Sequence, residues 1–436
     1  MRKMTGGEKR WILYDVGNSA FTLLASIILP MYFEGMITAN NGIGEADALA
    51  IWGYASSAVT LATVFLCPIL GTLADYSGWK RPMFFGVAII GVIGCAALSL
   101  PFQWILFLVI YVITKIAYSL SLVFYDSMLC DMTVPERMDK VSSQGYAWGY
   151  IGSCIPFIAS IALIIFTPLP VNVSMPIAIG INALWWLVMT LPLFRAYKQV
   201  HGVPRGSHAL RQGIIRLFSV FREKIPGKKS IMLFLVAFFL YIDGVYTIID
   251  MATSFGTALG FDQTQMLIAL LVTQVIAFPS AIVFGILASR VKNDILIFVC
   301  IIAYTAVALF AIQMNMVWEF WLLAVCVGLF QGGIQALSRS YFASIIPAER
   351  SGEFFGIMDI FGKGAAFFGT LSVSIVTQAT GNINLGVIPI AVLFGLGLIV
   401  FAMAARSVRK YRSDISKIVS EPCVSEITDN IPENND

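Results

Sequence analysis

Residues 195–229 read RAYKQVHGVPRGSHALRQGIIRLFSVFREKIPGKK, and this stretch divides the chain into two halves of similar length. It carries Arg195, Lys198, Arg205, Arg211, Arg216, Arg222, Lys224, Lys228 and Lys229 against Glu223 alone. On either side stand apolar runs too long for a soluble core. Inside it, Leu210, Ile214, Leu217, Phe218 and Phe221 recur at helical spacing, while Arg211, Gln212, Arg216 and Arg222 fall on other faces. That pattern predicts a basic amphipathic helix lying on an anionic membrane surface. A solvated linker with chance periodicity is the plainer reading. Clustered Lys and Arg beside membrane spans resist translocation, so either reading keeps the segment cytoplasmic.

With 58% hydrophobic residues, 12% charged residues and a mean hydropathy of +0.84, the 436-residue chain has too little polar surface to coat a water-soluble globule. Lipid must solvate most of it. At about 20 residues per crossing, twelve spans are counted, six between Trp11 and Phe194 and six between Ile231 and Ala405. The expected class is therefore an all-α membrane protein of two six-helix bundles, residues 1–195 and 230–406. A cytoplasmic basic linker, 196–229, joins them, and an acidic polar tail, 407–436, is predicted to be disordered. The Lys and Arg residues outside the spans all fall at the N-terminus, the even-numbered connections and the tail, and the odd-numbered connections hold none. This asymmetry predicts that both termini are cytoplasmic, and the short connections suit a plasma membrane. A monomer is expected.

The same residues exclude several function classes. The basic residues flank apolar spans instead of forming one basic and aromatic face, so no nucleic-acid partner is expected. The seven cysteines contain no CxxC pair, and nothing suggests a disulfide framework, a metal site or a cofactor. No GxSxG and no His/Glu metal pair speaks for an enzyme. The run from Gly356 to Gly364 has the wrong glycine spacing for a phosphate loop and lies inside an apolar span.

The halves echo each other. Gly71-Thr-Leu-Ala-Asp75 closes the second span and Gly285-Ile-Leu-Ala-Ser289 the eighth; Val134-Pro-Glu-Arg137 follows the fourth and Ile346-Pro-Ala-Glu-Arg350 the tenth. The nearly constant offset reads as a parallel repeat. Gly71-Thr-Leu-Ala-Asp75-Tyr-Ser-Gly78-Trp-Lys80-Arg81 resembles the signature loop of the major facilitator superfamily, with Tyr76 and Trp79 where basic residues often stand. Trp11-Ile-Leu-Tyr-Asp15-Val-Gly-Asn18, Gly332-Gly-Ile-Gln335-Ala-Leu-Ser-Arg339 and Glu353-Phe-Phe-Gly356 narrow the resemblance to its vacuole-effluxer-like branch. The resemblance implies a twelve-helix secondary transporter whose eukaryotic members are associated with amino-acid release from vacuoles. It also implies that Asp75 meets the start of the eleventh span, near Glu353, making Gly71, Asp75, Gly78, Lys80 and Arg81 a conformational latch. A simple turn cap is the alternative for Asp75.

Charges inside the spans are the remaining candidates, because each costs about 2.5 to 3.5 kcal/mol near the bilayer centre unless it faces a partner or a wet cavity. Lys115, Arg339 and Lys363 are the bases; Asp15, Asp126, Asp243, Asp250 and Asp359 are the acids. Polar stripes at helical spacing mark the first span (Asp15, Asn18), the fourth (Lys115, Tyr118, Asp126), the seventh (Asp243, Asp250) and the tenth (Gln335, Arg339). The resemblance implies that these four spans line a central cavity; stripes of hydroxyls also serve plain helix packing. Asp359 and Lys363, one turn apart, form either a structural ion pair or part of a gate. No span contains histidine, so a coupling proton would ride on a desolvated carboxylate, Asp243 first and Asp15 second. Lys115 would hold a substrate carboxylate or serve as counter-ion to such an acid. The leading expectation is a small-solute transporter, and the alternatives are multidrug or metabolite efflux and a non-transporting receptor.

Overall fold

The computed structural model describes residues 3–41, 44–204, 209–220, 222–223, 225–258, 260 and 262–420. Among these described residues, twelve helices are long and apolar enough to cross a bilayer: Gly6–Thr38, Ala50–Ala74, Lys80–Ala97, Trp104–Met132, Pro135–Phe166, Val171–Ala196, Lys228–Ile249, Ile268–Leu287, Asn293–Ala311, Val317–Ile345, Ala348–Thr380 and Leu385–Asp414. They are numbered here as spans one to twelve. Helices are required because hydrocarbon offers the backbone no outside hydrogen-bond partner. No strand occurs among the described residues, only one parallel bridge between Tyr76 and Val203.

Local chemistry sets the helix ends. Thr5 caps span one by accepting from the Glu8 amide at 3.2 Å while the Glu8 carboxylate accepts from the Thr5 amide at 2.7 Å. Gly381, at φ +67°, closes the eleventh helix in the left-handed conformation that glycine adopts freely. A single π-turn, Leu24–Ile28, interrupts the first span. Large apolar side chains such as Phe65, Ile93 and Leu184 stand more than half exposed and meet acyl chains, whereas Trp11, Trp186 and Tyr14 are fully buried between helices.

Packing makes the repeat physical. Span one packs on five and six, two on four, and three on four and six; span seven packs on eleven and twelve, eight on ten, and nine on ten and twelve. Each of these first-half contacts recurs in the second half with six added to both numbers. Between halves, span two packs on eleven and span eight on five, again related by the same shift. The described part of the linker, the start of span one and the last turns of span twelve lie at one end of the bundle, here the terminus-bearing end.

The tail departs from expectation. The last helix runs from Ile388 to Ser420, and Arg409 donates to Asp294 at 2.6 Å while Arg412 donates to Ser344 at 3.1 Å. These contacts hold residues beyond 406 as helix instead of disordered chain. Residues 421–436 lie outside the described residues.

Candidate functional site

Two layers of polar contacts join the halves. The outer one sits at the terminus-bearing end, where span two meets span eleven. Gly71 and Gly352 approach so closely that a side-chain carbon on either would overlap the other's carbonyl oxygen. That approach lets Asp75, just past the end of span two, cap the start of span eleven: its two carboxylate oxygens accept from the Gly352 amide at 2.7 Å and the Glu353 amide at 2.9 Å. Lys80 is completely buried, 3.5 Å from Asp75, and donates to Ser351 at 2.8 Å. Gly78, at φ +83°, turns the chain between them. Burial pushes the Asp75 carboxyl up to about 6, against the pull of Lys80 and the two amides.

Of the five residues read as a latch, Gly71, Asp75, Gly78 and Lys80 meet here and Arg81 does not. Arg81 donates to the Phe194 carbonyl at 3.2 Å and lies over its ring, tying the loop to span six.

The linker completes this layer, which corrects the expectation of a surface-lying helix. The helix Ala209–Ser219 docks on span two: Gly213 packs on Leu73, and Leu217 and Val220 are buried in the protein while Ile214 and Ile215 are exposed. Arg216 turns inward, donating to the Thr72 carbonyl at 2.8 Å, with its guanidinium 3.0 Å from Glu353 and 3.8 Å from Asp75. The side chains of Leu210 and Phe218, and residue Phe221, lie outside the described residues. Arg350 grips Glu353 at 2.7 Å and Glu223 at 2.9 Å, and Gln199 accepts from the Gly78 amide at 2.9 Å. A repeat emerges that the sequence reading missed: Glu8 binds Arg137 at 2.5 Å in the first half, and the linker residue Glu223 binds Arg350 in the second. In the second half Gly285 packs on Ser143 of span five, but Ser289 stands where the first half has Asp75. The capping carboxylate is thus present on one side only.

The inner layer is built around Arg339 of span ten. Its guanidinium lies 2.9 Å from Asp126 and 3.5 Å from Asp15, donates to the Ser142 hydroxyl at 2.9 Å and carbonyl at 3.0 Å, and stands over the rings of Tyr146 (4.3 Å), Trp11 (4.7 Å) and Tyr125 (5.5 Å). Tyr125 donates to Asp15 at 3.1 Å. Gly145 leaves the space: a side-chain carbon there would crowd Arg339, Asp15 and Trp11 together. Nearby, Tyr150 donates to Gln335 at 2.7 Å, and Asp139 accepts from Asn293 and Ser340. Asp359 and Lys363 pair at 2.5 Å, with Cys67 3.7 Å from the same ammonium. Asp15, Asp126 and Arg339 are thus brought together in one buried group, and Ser142, Trp11 and Tyr146 complete it, the aromatic members being ones that composition alone could not single out.

The other candidates stand apart. Lys115 is half-buried in span four, its ammonium 5.0 Å from the Tyr118 ring and 5.6 Å from the Phe21 ring, and Tyr118 shares a 2.6 Å hydrogen bond with Thr22. Asp243 is fully buried in span seven against Gly369, where it accepts from Thr247 at 3.3 Å. Its Oδ2 has no hydrogen-bond partner and its carboxylate no basic neighbour within 4 Å among the described residues. Lys115 and Asp243 stand in spans four and seven, and no ion pair joins them among the described residues. Asn18 is buried beside Asp15. The side chain of Asp250 lies outside the described residues. Outward from Thr247, the second half encloses a cavity of about 130 Å³, lined mainly by apolar residues with Thr247, Thr273, Gln274 and Gln331 among them.

The family model described as "Vacuole effluxer Atg22 like" matches residues 8–413. The chain belongs to the Atg22-like vacuole effluxer family. It is 38% identical over 410 residues to the uncharacterized MFS-type transporter YxiO of Bacillus subtilis, covering 92% of this chain and 95% of that one. It is 28% identical over 277 residues to autophagy-related protein 22 of Coccidioides immitis, of whose length it spans 45%. Among solved structures, the human organic anion transporter MFSD10 superposes with a TM-score of 0.71 at 14% identity, over 90% of this chain and 99% of that one. The E. coli fucose:proton symporter superposes at 0.70 and 16% identity, over 92% and 97%. This Atg22-like chain therefore has the major facilitator fold and is a multi-pass membrane transporter, not an enzyme.

Proposed function

We propose that the protein moves a small solute, an amino acid or related metabolite, by proton-coupled alternating access in the plasma membrane, as a monomer with both termini cytoplasmic. One observation carries the reading. The hydrogen bonds and ion pairs named above that cross between halves all lie in the half of each helix nearer the terminus-bearing end, so one gate is closed by contacts that must break for the other state to form. Substrate would bind where the polar stripes face the seam, with Asn18, Tyr118, Lys115, Asp250 and Gln335 as candidates and Lys115 suited to a carboxylate. Asp243 is the proposed proton carrier, since a buried carboxylate without a cation is costly unless it is neutralised.

The test is flux into proteoliposomes under an imposed pH gradient, using metabolites first selected by their stabilisation of the purified protein. Gradient-driven flux is expected, with Asp243→Asn abolishing the response to pH while substrate exchange persists. Unaltered pH dependence in Asp243→Asn would remove the assignment. Binding without flux would instead mark a receptor of the same fold. The apolar cavity outward of Thr247 favours efflux of hydrophobic compounds as a second reading, for which such compounds would be the stabilising ligands.

A further inference from the structure

Arg339 comes from the second half, yet every partner named for its guanidinium belongs to the first: Asp15 and Asp126, the Ser142 carbonyl and hydroxyl, and the rings of Trp11, Tyr125 and Tyr146. Two carboxylates and aromatic faces around a planar cation form a receptor, and a methyl group at Gly145 would fill it. When the halves part at this end, Arg339 leaves with span ten. The two acids are then left without their cation in a low-dielectric setting, which is strongly unfavourable until something replaces it.

We propose that the first half carries a preformed receptor for a guanidinium-like organic cation, filled by Arg339 while the terminus-bearing end is closed and by a cationic solute when it opens. This rests on the alternating-access reading and narrows its substrate class. Occupancy by Arg339 and occupancy by the solute then exclude each other, so the solute stabilises the open state by competing for the receptor. Lys115, over the rings of Tyr118 and Phe21, lies in the same half but is no part of the receptor as described.

The test uses the full-length protein in detergent with methylguanidinium as probe and sodium at equal concentration as control. Arg339→Ala empties the receptor and lowers the melting temperature. About 10 mM methylguanidinium should restore at least half of that loss, with little effect on wild type and none once Trp11→Leu is added. A variant response no larger than that of wild type would overturn the proposal. If Arg339→Ala does not fold, wild type decides: Cys130 is buried at this seam with its Sγ 3.9 Å from the Ala343 carbonyl oxygen. Its alkylation, mapped by mass spectrometry, should speed up about threefold or more with methylguanidinium. Acceleration by acid alone would mean that protons fill the site, and the proposal falls. Failed rescue alongside gradient-driven flux removes the receptor and leaves the transporter; rescue without flux supports the receptor while the transporter reading fails.

Discussion

Asp75 shows how much one side chain can carry. It accepts two backbone amides across the seam and faces Lys80 and Arg216, with Glu353 behind Arg216 and Asp131 4.0 Å from Lys80. Hydrogen bonds to a charged group are worth about 1.5 to 3 kcal/mol each, so Asp75→Asn, which loses one strong acceptor, should loosen this end and raise Cys130 alkylation several-fold. Gly71→Ala tests the neighbouring contact by size alone. Its methyl would overlap the Gly352 carbonyl oxygen, and the expected result is a protein that folds but labels rapidly at Cys130 and transports poorly.

At the scale of elements, the linker shows where sequence reading succeeds and where it stops. Periodicity identified the helix and the basic count identified its side of the bundle, but the same pattern fits a lipid surface and a protein surface. The choice depends on Asp75 and Glu353, more than a hundred residues away along the chain on either side, which only the fold brings beside Arg216. For the same reason Arg137 and Arg350 were legible as topology markers and not as partners of Glu8 and Glu223. Arg81 misled in the opposite direction, because its motif position promised a latch contact and the nearby Phe194 carbonyl took it. Arg216→Gln should undock the helix: amide exchange of residues 209–219 should rise to that of an isolated short helix, which is marginal in water. Exchange as slow as in wild type would show that Leu217 and Val220 hold it without the ion pairs.

The whole molecule is two copies of one packing plan with an asymmetry at the seam. Twelve spans, their division by the basic segment and the repeat were all readable from apolar runs and offsets, because span length and charge placement obey the bilayer directly. The site was readable as a set of intramembrane charges but not as a grouping. Nothing in the spacing told that Asp15, Asp126 and Arg339 would converge while Asp243 and Lys115 stayed apart. Since the capping carboxylate exists on one side only, Asp75 against Ser289, the proposed rocking of the halves turns on a seam locked at the terminus-bearing end. The most direct test places spin labels in a cysteine-free background at two exposed pairs, Glu136 with Arg290 at that end and Gln103 with Gln313 at the other. Distance distributions are then compared for the Asp75 protein and Asp75→Asn in lipid. Lengthening of the first pair with matching shortening of the second is the predicted result. Two distances that stay fixed, or that grow together, would contradict it.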